Sequence, residues 1–494
     1  MVSVRSVLRA IFAVCLLLSA GVVASGYTAP SPADTTPAGN ATGSNAENRS
    51  LAELPPRGLT VVTTDSNRPR AESANGSRAE AEIVVYDRNG SVRYYNDTYD
   101  SYWDIDPLPG ATGPRTVEYV ASERLNASAC DSAEGSSADD GSEEESTGEE
   151  NGCVRSVIER IDLSTGATRT IYAARSPRAD FAPWTDVDRI NDTHYVVADR
   201  AENRVFVLNV RTNTVTWEWY AASTFSFDSG GYYLEDWTHL NDVEYLEGGR
   251  IMASIRNHDQ VIFLDPERAP ERAVIENWTL GADGNRSVLY EPYGPGYIPR
   301  ENGGPALLVA DAGNNRVVEY ARQSGSWNRT WRWTDSTLRW PRDADRLPSG
   351  NTLVVDSNGD RVLEVGSSGE IVWNVSVGLP YDAERLGTDP ESSGPSAERI
   401  AAGAEGNSDD DRAGAARGSE EGETAAPLAS RMKGLLSGPI LSAALYRSPA
   451  WMGVPELLAL CVALAVSLVW LLAELRWRSV FADLRERVER IDRR

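Results

Sequence analysis

Three stretches of this chain repeat one pattern at one spacing. They run from Asp186-Val-Asp-Arg-Ile to Val205, from Asp242-Val-Glu-Tyr-Leu to Val261, and from Asp343-Ala-Asp-Arg-Leu to Val362. In each, the first Asp lies 19 residues before the last Val. A further copy with an insertion ends Val309-Ala-Asp-Ala-Gly-Asn-Asn-Arg-Val317. Each copy runs on into an alternating strand and a Trp-bearing strand, at Trp217 and Trp219, Trp278, Trp331 and Trp333, and Trp373. The unit reads as strand, turn, strand, polar turn, strand, strand, with a period of about 45 to 60 residues. Four such strands cannot cover both of their faces alone, so the copies have to stack in a ring. Two weaker copies precede, Leu59 to Tyr95 and Trp103 to Tyr172, which makes six. The sequence therefore predicts an all-β, six-bladed β-propeller over residues 56–385.

The flanks differ in kind. Residues 1–25 hold an apolar run behind Arg5 and Arg9, which fits a signal peptide or an N-terminal transmembrane anchor. Residues 26–55 are a Pro-, Ala-, Thr- and Ser-rich tether, and 386–430 an acidic low-complexity linker. After a membrane-proximal segment at 431–453, residues 454–475 are long and apolar enough to span a bilayer. The tail at 476–494 is rich in Arg, which by the positive-inside rule makes it cytoplasmic and puts the propeller outside the cell. Eleven Asn-x-Ser/Thr sequons, from Asn40 to Asn374, all fall between the two apolar segments, as expected of an outward-facing glycosylated domain. Cys130 and Cys153 flank an acidic insertion at 131–152, and an oxidising compartment permits a disulfide between them.

Charge narrows the partners. The net charge is -25, with 73 acidic residues against 48 basic ones, and Lys433 is the only lysine. Such a surface stays hydrated where salt screens charge over a few ångströms, the pattern of a protein adapted to high salt. No basic stripe offers itself to nucleic acid.

The turn residues Asp199, Asp311 and Asp356 are expected to accept turn N–H bonds, and Arg204, Arg316 and Arg361 to pair with a neighbouring blade. Asp356-Ser-Asn-Gly-Asp360 has the look of a calcium loop but lacks the bidentate Glu such a loop needs, so no metal and no cofactor is expected. Blade four breaks the pattern most. It has Ile255 where its sisters have Asp199 and Asp356, and Gln260 where they have Arg204 and Arg361. It also holds two of the three histidines, His239 and His258. His239 and Asn241 stand where blade six has Trp340 and Arg342, on strands expected to line the central channel. Arginine forks, an imidazole and an amide together suit a tetrahedral oxyanion.

At Asp236-Trp-Thr-His239-Leu-Asn241-Asp242 and Ser254-Ile-Arg256-Asn-His258 the chain resembles the aryl sulfotransferase family of six-bladed propellers. The resemblance implies an extracytoplasmic enzyme that moves sulfate from an aryl sulfate to a phenol without a nucleotide donor. It implies His239, Asn241 and Arg256 as channel residues that hold the sulfuryl group, with His239 and Arg256 expected to be catalytic and Asn241 substrate-binding; His258, beside Arg256, and Arg342, at the blade-six position equivalent to Asn241, are further substrate-binding candidates read from the repeat. The family passes the sulfuryl group through a histidine on a later blade, whereas here no histidine follows His258 and the blade-five stretch reads Tyr290-Glu-Pro-Tyr-Gly-Pro-Gly-Tyr297. The alternative is a non-catalytic surface propeller that binds an anionic glycan or a protein.

Overall fold

A computed structural model describes residues 4–28, 58–65, 81–108, 115–126, 129–130, 152–176, 183–233, 236–388, 391–406 and 454–491. Most of the tether, the acidic insertion, the linker beyond 406, the membrane-proximal segment and the sequons at Asn40, Asn48 and Asn75 lie outside the described residues.

Six four-stranded antiparallel sheets form the propeller. Blade one holds β1 (Thr60–Thr64), β2 (Ile83–Tyr86) and β3 (Val92–Asn96). Blade two is β4 (Ser101–Pro107), β5 (Thr116–Leu125), β6 (Cys153–Asp162) and β7 (Ala167–Ser176). Blade three is β8 (Trp184–Arg189), β9 (His194–Asp199), β10 (Arg204–Asn209) and β11 (Thr214–Tyr220). Blade four is β12 (Leu240–Tyr245), β13 (Ile251–Ile255), β14 (Gln260–Leu264) and β15 (Leu280–Gly281). Blade five is β16 (Pro292–Ile298), β17 (Ala306–Asp311), β18 (Arg316–Gln323) and β19 (Ser326–Trp333). Blade six is β20 (Pro341–Arg346), β21 (Thr352–Asp356), β22 (Arg361–Val365) and β23 (Ile371–Ser376). The last strand, β24 (Pro380–Arg385), returns to pair with β1 and closes the ring. The first sequence repeat therefore lacks an innermost strand of its own and takes it from the far end of the fold.

Between blades the cores are apolar. Trp219, Trp237, Tyr102, Tyr119, Tyr195 and Phe263 are among the largest fully buried side chains. Side chains of this kind contribute about 1.5–3 kcal/mol each on burial. Polar latches add register. The residue that ends the second turn of a blade is left-handed at Asn203, Asp259, Asn315 and Asp360. Its side-chain oxygen accepts a backbone N–H from the next blade: Thr238 at 3.2 Å, Glu291 at 2.9 Å, Trp340 at 2.8 Å and Leu379 at 3.0 Å, respectively. Asn and Asp tolerate that conformation and carry the acceptor, which is why they recur there.

Two details correct the sequence reading. Arg204, Arg316 and Arg361 pair first with the Asp of their own turn, at 3.0, 2.5 and 2.7 Å, rather than with a neighbouring blade. Trp278 lies in a 3-10 turn, and the outer strand of blade four shrinks to Leu280–Gly281.

The chain expected to start a linker at 386 stays packed well beyond it. Ser392 and Ser396 are buried, and Ser396 caps α2 (Ala397–Gly406) through the Arg399 N–H at 3.3 Å. The Ala397 N–H points at the Glu319 carboxylate, 2.9 and 3.0 Å from its oxygens, and Glu319 also holds the buried Arg346 at 2.9 Å. The disulfide joins Cys130 to Cys153 at the β5–β6 hairpin of blade two. Outside the propeller, α1 (Val4–Thr28) and α3 (Val454–Ile491) are long and apolar enough to cross a membrane, over Leu8–Ser25 and Glu456–Arg476. They pack antiparallel. Arg9 meets both oxygens of Glu474 at 2.5 and 2.7 Å, and Phe12 lies 5.8 Å from Trp470.

Candidate functional site at the mouth of the channel

The innermost strands β24, β4, β8, β12, β16 and β20 touch in a ring and line the central channel. Each carries a bulge near its start. A bulge turns two successive side chains toward one side. Here it builds a layered channel. The first layer is Trp103, Thr185, Asn241, Tyr293, Arg342 and Tyr381, one residue per blade. The next is Asp104, Asp186, Asp242, Asp343 and Asp382, with Gly294 in blade five. The third is Asp106, Asp188, Glu244, Asp345 and Glu384, with Gly296 in blade five. Glu391, from the segment beyond β24, adds its carboxyl to this third layer.

Some of these acids have a structural task. Asp186 accepts the Val243 N–H at 2.7 Å, Asp188 that of Tyr245 at 2.5 Å, Glu244 that of Tyr297 at 3.0 Å and Asp382 that of Ile105 at 2.8 Å. Each bond ties one inner strand to the next and uses one carboxyl oxygen. Asp104 adds a longer bond from the Val187 N–H at 3.4 Å, and most of these acids also face like-charged neighbours. Burial, followed by those neighbours, raises Asp104, Asp106, Asp186, Asp242, Glu244, Asp343, Glu384 and Glu391 well above the usual carboxylate range. Burial likewise pushes Asp188 and Asp382 to about 6 and Asp345 to about 7. The two glycines of blade five make room. A side chain at Gly294, whose φ is +38°, would stand 2.8 Å from the Arg342 carbonyl, and one at Gly296 would stand 2.3 Å from Ser392 Oγ.

Above the acids, blades four and five build a hydrogen-bonded chain. His239 is left-handed, as are Glu291, Trp340 and Leu379 at the same point before β16, β20 and β24. This conformation sets its ring between two partners. Nδ1 stands 2.5 Å from Asp236 Oδ2, and Nε2 stands 2.9 Å from the Tyr293 hydroxyl. Burial works against ionisation of Asp236, but His239 and the Arg200 fork at 3.0 and 3.1 Å outweigh it and hold the carboxyl well below its usual range. Burial first, then Arg200 and Arg256, keep His239 neutral, its pKa far below that of a free imidazole. A neutral ring has one N–H. The Asp236 carboxylate takes it on Nδ1, which leaves the Nε2 lone pair facing the tyrosine proton. Arg256 Nη1 lies 2.9 Å from Nδ1 but does not donate to it in this tautomer, and its Nη2 donates to Glu291 at 2.7 Å. Its guanidinium sits 5.5 Å from the Tyr293 ring centroid and 5.4 Å from that of Trp340. The side chains of His239, Arg256, Glu291 and Asp236 keep 10, 18, 21 and 28 % exposure, so the chain opens to solvent on the Asp236–Arg256 side.

His239, Asn241, Arg256 and Arg342 thus converge on one end of the channel. Asn241 Nδ2 donates to the Pro292 carbonyl at 3.0 Å. Arg342 pairs with Asp65 at 2.8 Å and lies 5.6 Å from the Tyr293 ring centroid. His258 stands apart. It is fully buried between Phe225 at 4.4 Å and Trp237 at 5.6 Å, with Ser229 Oγ 3.1 Å from Nε2, and there it ties Phe225, Ser229 and Trp237 together. Sequence reading treats a phenol of the Tyr290–Tyr297 stretch as a poor substitute nucleophile and misses both the placement of Tyr293 against His239 and the double acidic ring. The signal for both was present: aligned on Asn241, blade five offers Tyr293, and five inner strands carry an acid, one residue, and a second acid.

No protein-family profile and no curated protein matches the sequence. Solved propellers do. The periplasmic gluconolactonase of Pseudomonas aeruginosa shares 16 % identity over 66 % of this chain and 98 % of its own, with a TM-score of 0.40. A chain of the nidogen/laminin complex shares 11 % over 66 % and 97 %, with a TM-score of 0.37. Virginiamycin B lyase of Staphylococcus aureus shares 15 % over 51 % and 73 %, with a TM-score of 0.30. At these identities the likeness concerns the fold alone.

Proposed function

We propose that this chain is an extracytoplasmic, membrane-held propeller of aryl sulfotransferase type, which moves a sulfuryl group between phenols at the mouth of its channel. The observation that carries the reading is the chain Asp236–His239–Tyr293. In this reading Tyr293 Oη attacks the sulfur of an aryl sulfate, His239 Nε2 takes its proton, and the S–O bond to the leaving phenol breaks. The departing phenolate collects that proton. A second phenol then reverses the sequence. Tyrosine is itself a phenol, so its sulfate ester holds the group about as loosely as an aryl sulfate does. It would take the place of the later-blade histidine that the sequence lacks. Arg256 lies beside the ring where sulfuryl charge would develop.

A second reading has its own support. Arg256 is paired with Glu291 and Arg342 with Asp65, so both guanidiniums already face carboxylates. Arginines already held by carboxylates stabilise developing sulfuryl charge less, which weighs against turnover and leaves a surface propeller that binds an anionic glycan or a protein. In either reading α1 stays on the mature chain and pairs with α3, the Arg-rich tail is cytoplasmic and the propeller is outside. The sequons at Asn89, Asn126, Asn191, Asn277, Asn285, Asn328 and Asn374 are exposed on it and accept glycans.

The test is turnover of 4-nitrophenyl sulfate with phenol as acceptor, by full-length protein in detergent and high salt. Wild type should release nitrophenol, and His239→Gln and Tyr293→Phe should each slow it by about 100-fold or more. Sulfate-ester mass on the peptide holding Tyr293 would mark the intermediate. A silent wild type sinks the transfer reading, and the binding reading then requires that Arg256→Ala weaken capture of a sulfated glycan.

A further inference from the structure

The third acidic layer is completed from outside the ring of blades. Blade five has Gly296 where its sisters carry an acid, and a side chain there would collide with Ser392. Glu391 and Ser392 fill that gap from the segment beyond β24. Glu391 is left-handed at φ 62°, a conformation glutamate seldom adopts, and its N–H donates to Glu384 at 3.2 Å. Its carboxyl lines the channel cavity. Asp106 faces it from β4, Asp242 and Glu244 from β12, Asp345 from β20 and Glu384 from β24. Asp186 of β8 lines the same cavity. So does the Arg342 guanidinium, but Asp65 already holds it at 2.8 Å. A carboxylate placed among these acids is repelled, whereas the same group carrying a proton is not. Burial, then these neighbours, accordingly raise Glu391 well above the usual carboxylate range.

The rest of the segment is held mainly by neutral hydrogen bonds. The Gly394 N–H donates to the Arg346 carbonyl at 2.7 Å and the Ser396 N–H to the Asn302 carbonyl at 2.8 Å. Asn302 Nδ2 returns a bond to the Ser393 carbonyl at 3.0 Å, and Ala397 rests on Glu319. Bonds of this kind are individually weak, so the charge on one buried carboxyl weighs against all of them together. We propose that residues 391–406 are a proton-held latch: with the Glu391 carboxyl neutral they close the far end of the channel, and with it ionised they leave, opening that end and adding their length to the tether toward α3. The docked segment holds a proton that the released one gives up, so release is favoured as pH rises. Asp345 beside it, raised by burial and Asp382 to about 7, places the window above that pH. The latch works whether or not the mouth transfers a group.

The experiment follows hydrogen–deuterium exchange by mass spectrometry in the full-length chain in detergent and high salt, from pH 6 to 9, with rates corrected for the intrinsic effect of pH. Amides of 394–400 report the latch and those of β17, buried in blade five, report the fold. Loss of one proton on opening multiplies the opening constant by up to about 10 per pH unit. Protection of 394–400 should therefore fall by about 10-fold or more between pH 7 and 9 while β17 stays protected. Glu391→Gln should keep the latch protected at pH 9. Glu398→Gln, whose exposed carboxyl bonds Gln323 on the outside, should behave as wild type. Wild-type protection that ignores pH, or that is lost together with β17, would overturn the proposal even where a variant fails to fold. So would a Glu391→Gln chain that opens as the wild type does.

Discussion

Asp345→Asn should stabilise this protein at pH 8 and leave it little changed at pH 4. Asp345 lies in the third channel layer, where burial and then the Asp382 carboxylate raise its pKa to about 7, against bonds from Glu384 and Ser392 that pull it down. In the unfolded chain the group titrates near 3.8. Between these values the folded state holds a proton that the unfolded state has lost, so the stabilising contribution is present below 3.8 and disappears as pH rises through 7. The full difference corresponds to about 4 kcal/mol, a ceiling because its neighbours share the same titration. Asp188 and Asp382, pushed by burial to about 6, act in the same direction over a lower window. So do the eight channel carboxyls raised well above the usual carboxylate range. Two histidines oppose them. Burial lowers His258 to about 4 and holds His239 well below its usual value, so both cost stability as pH falls below 6.5. The unfolded imidazoles are half protonated at pH 6.5 and lose their protons over the next pH unit, after which the carboxyls act alone. Urea unfolding of the full-length chain in choline buffer should therefore show stability dropping from about pH 7 to 8, by about 1.4 kcal/mol per pH unit for each proton lost. The slope should be shallower in Asp345→Asn. A wild-type slope of zero or of the opposite sign, or a variant less stable than wild type at pH 8, would refute the reasoning.

Three further outcomes are expected. Replacing Cys130 and Cys153 by Ser opens a loop of 23 residues' separation and should lower unfolding free energy by about 3 kcal/mol in urea titrations under oxidising conditions. Asp356→Ala strands Arg361 and the Arg339 N–H, which the buried carboxylate holds at 2.7 and 2.6 Å, and should cost about 3 kcal/mol or more; Asp192→Ala, whose carboxylate is 90 % exposed, should cost under about 1 kcal/mol. Because among the described residues only Ser229 bonds the ring of His258, His258→Phe should keep the fold and flatten the loss of stability between pH 6 and 4, as read from melting curves.

The ring of blades was legible because stacking forces each unit to solve the same problem with the same residues. The left-handed Asn203, Asp259, Asn315 and Asp360, and the turn carboxylates Asp199, Asp311 and Asp356, recur at fixed offsets since every blade needs the same latch. What failed was anything decided between distant parts of the chain. Nothing local in Pro380–Arg385 says that it belongs to blade one, since its partner lies over 300 residues earlier at β1. The packed chain at 391–406 reads as linker because its composition is polar; the Glu319 carboxylate that receives the start of α2 comes from blade five. Arg204, Arg316 and Arg361 were placed with the wrong partner because an Asp five residues upstream satisfies them inside their own turn before a neighbouring blade can.

The site shows the same division more sharply. A break in the repeat located His239 and Arg256, because a position that abandons the shared latch is free to do something else. The same logic had a second application in blade five. There the alternating acids give way to Pro292-Tyr-Gly-Pro-Gly296, and the two breaks are neighbours in space. The loss of two carboxylates at Gly294 and Gly296 lowers the negative potential on the side of the channel where Tyr293 meets His239. It also frees the backbone to bring the phenol within 2.9 Å of the imidazole. His258, the other scarce histidine, was drawn into the site by proximity in sequence, yet the 3-10 turn at Arg256–His258 sends Arg256 toward the channel and His258 into the loop on the other side. Rarity marks a residue for attention; only the turn decides which of two close neighbours reaches the chemistry. In the proposed transfer, blade four would supply a base and a guanidinium, and blade five a phenol and the gap in the acidic ring through which an anion would approach it.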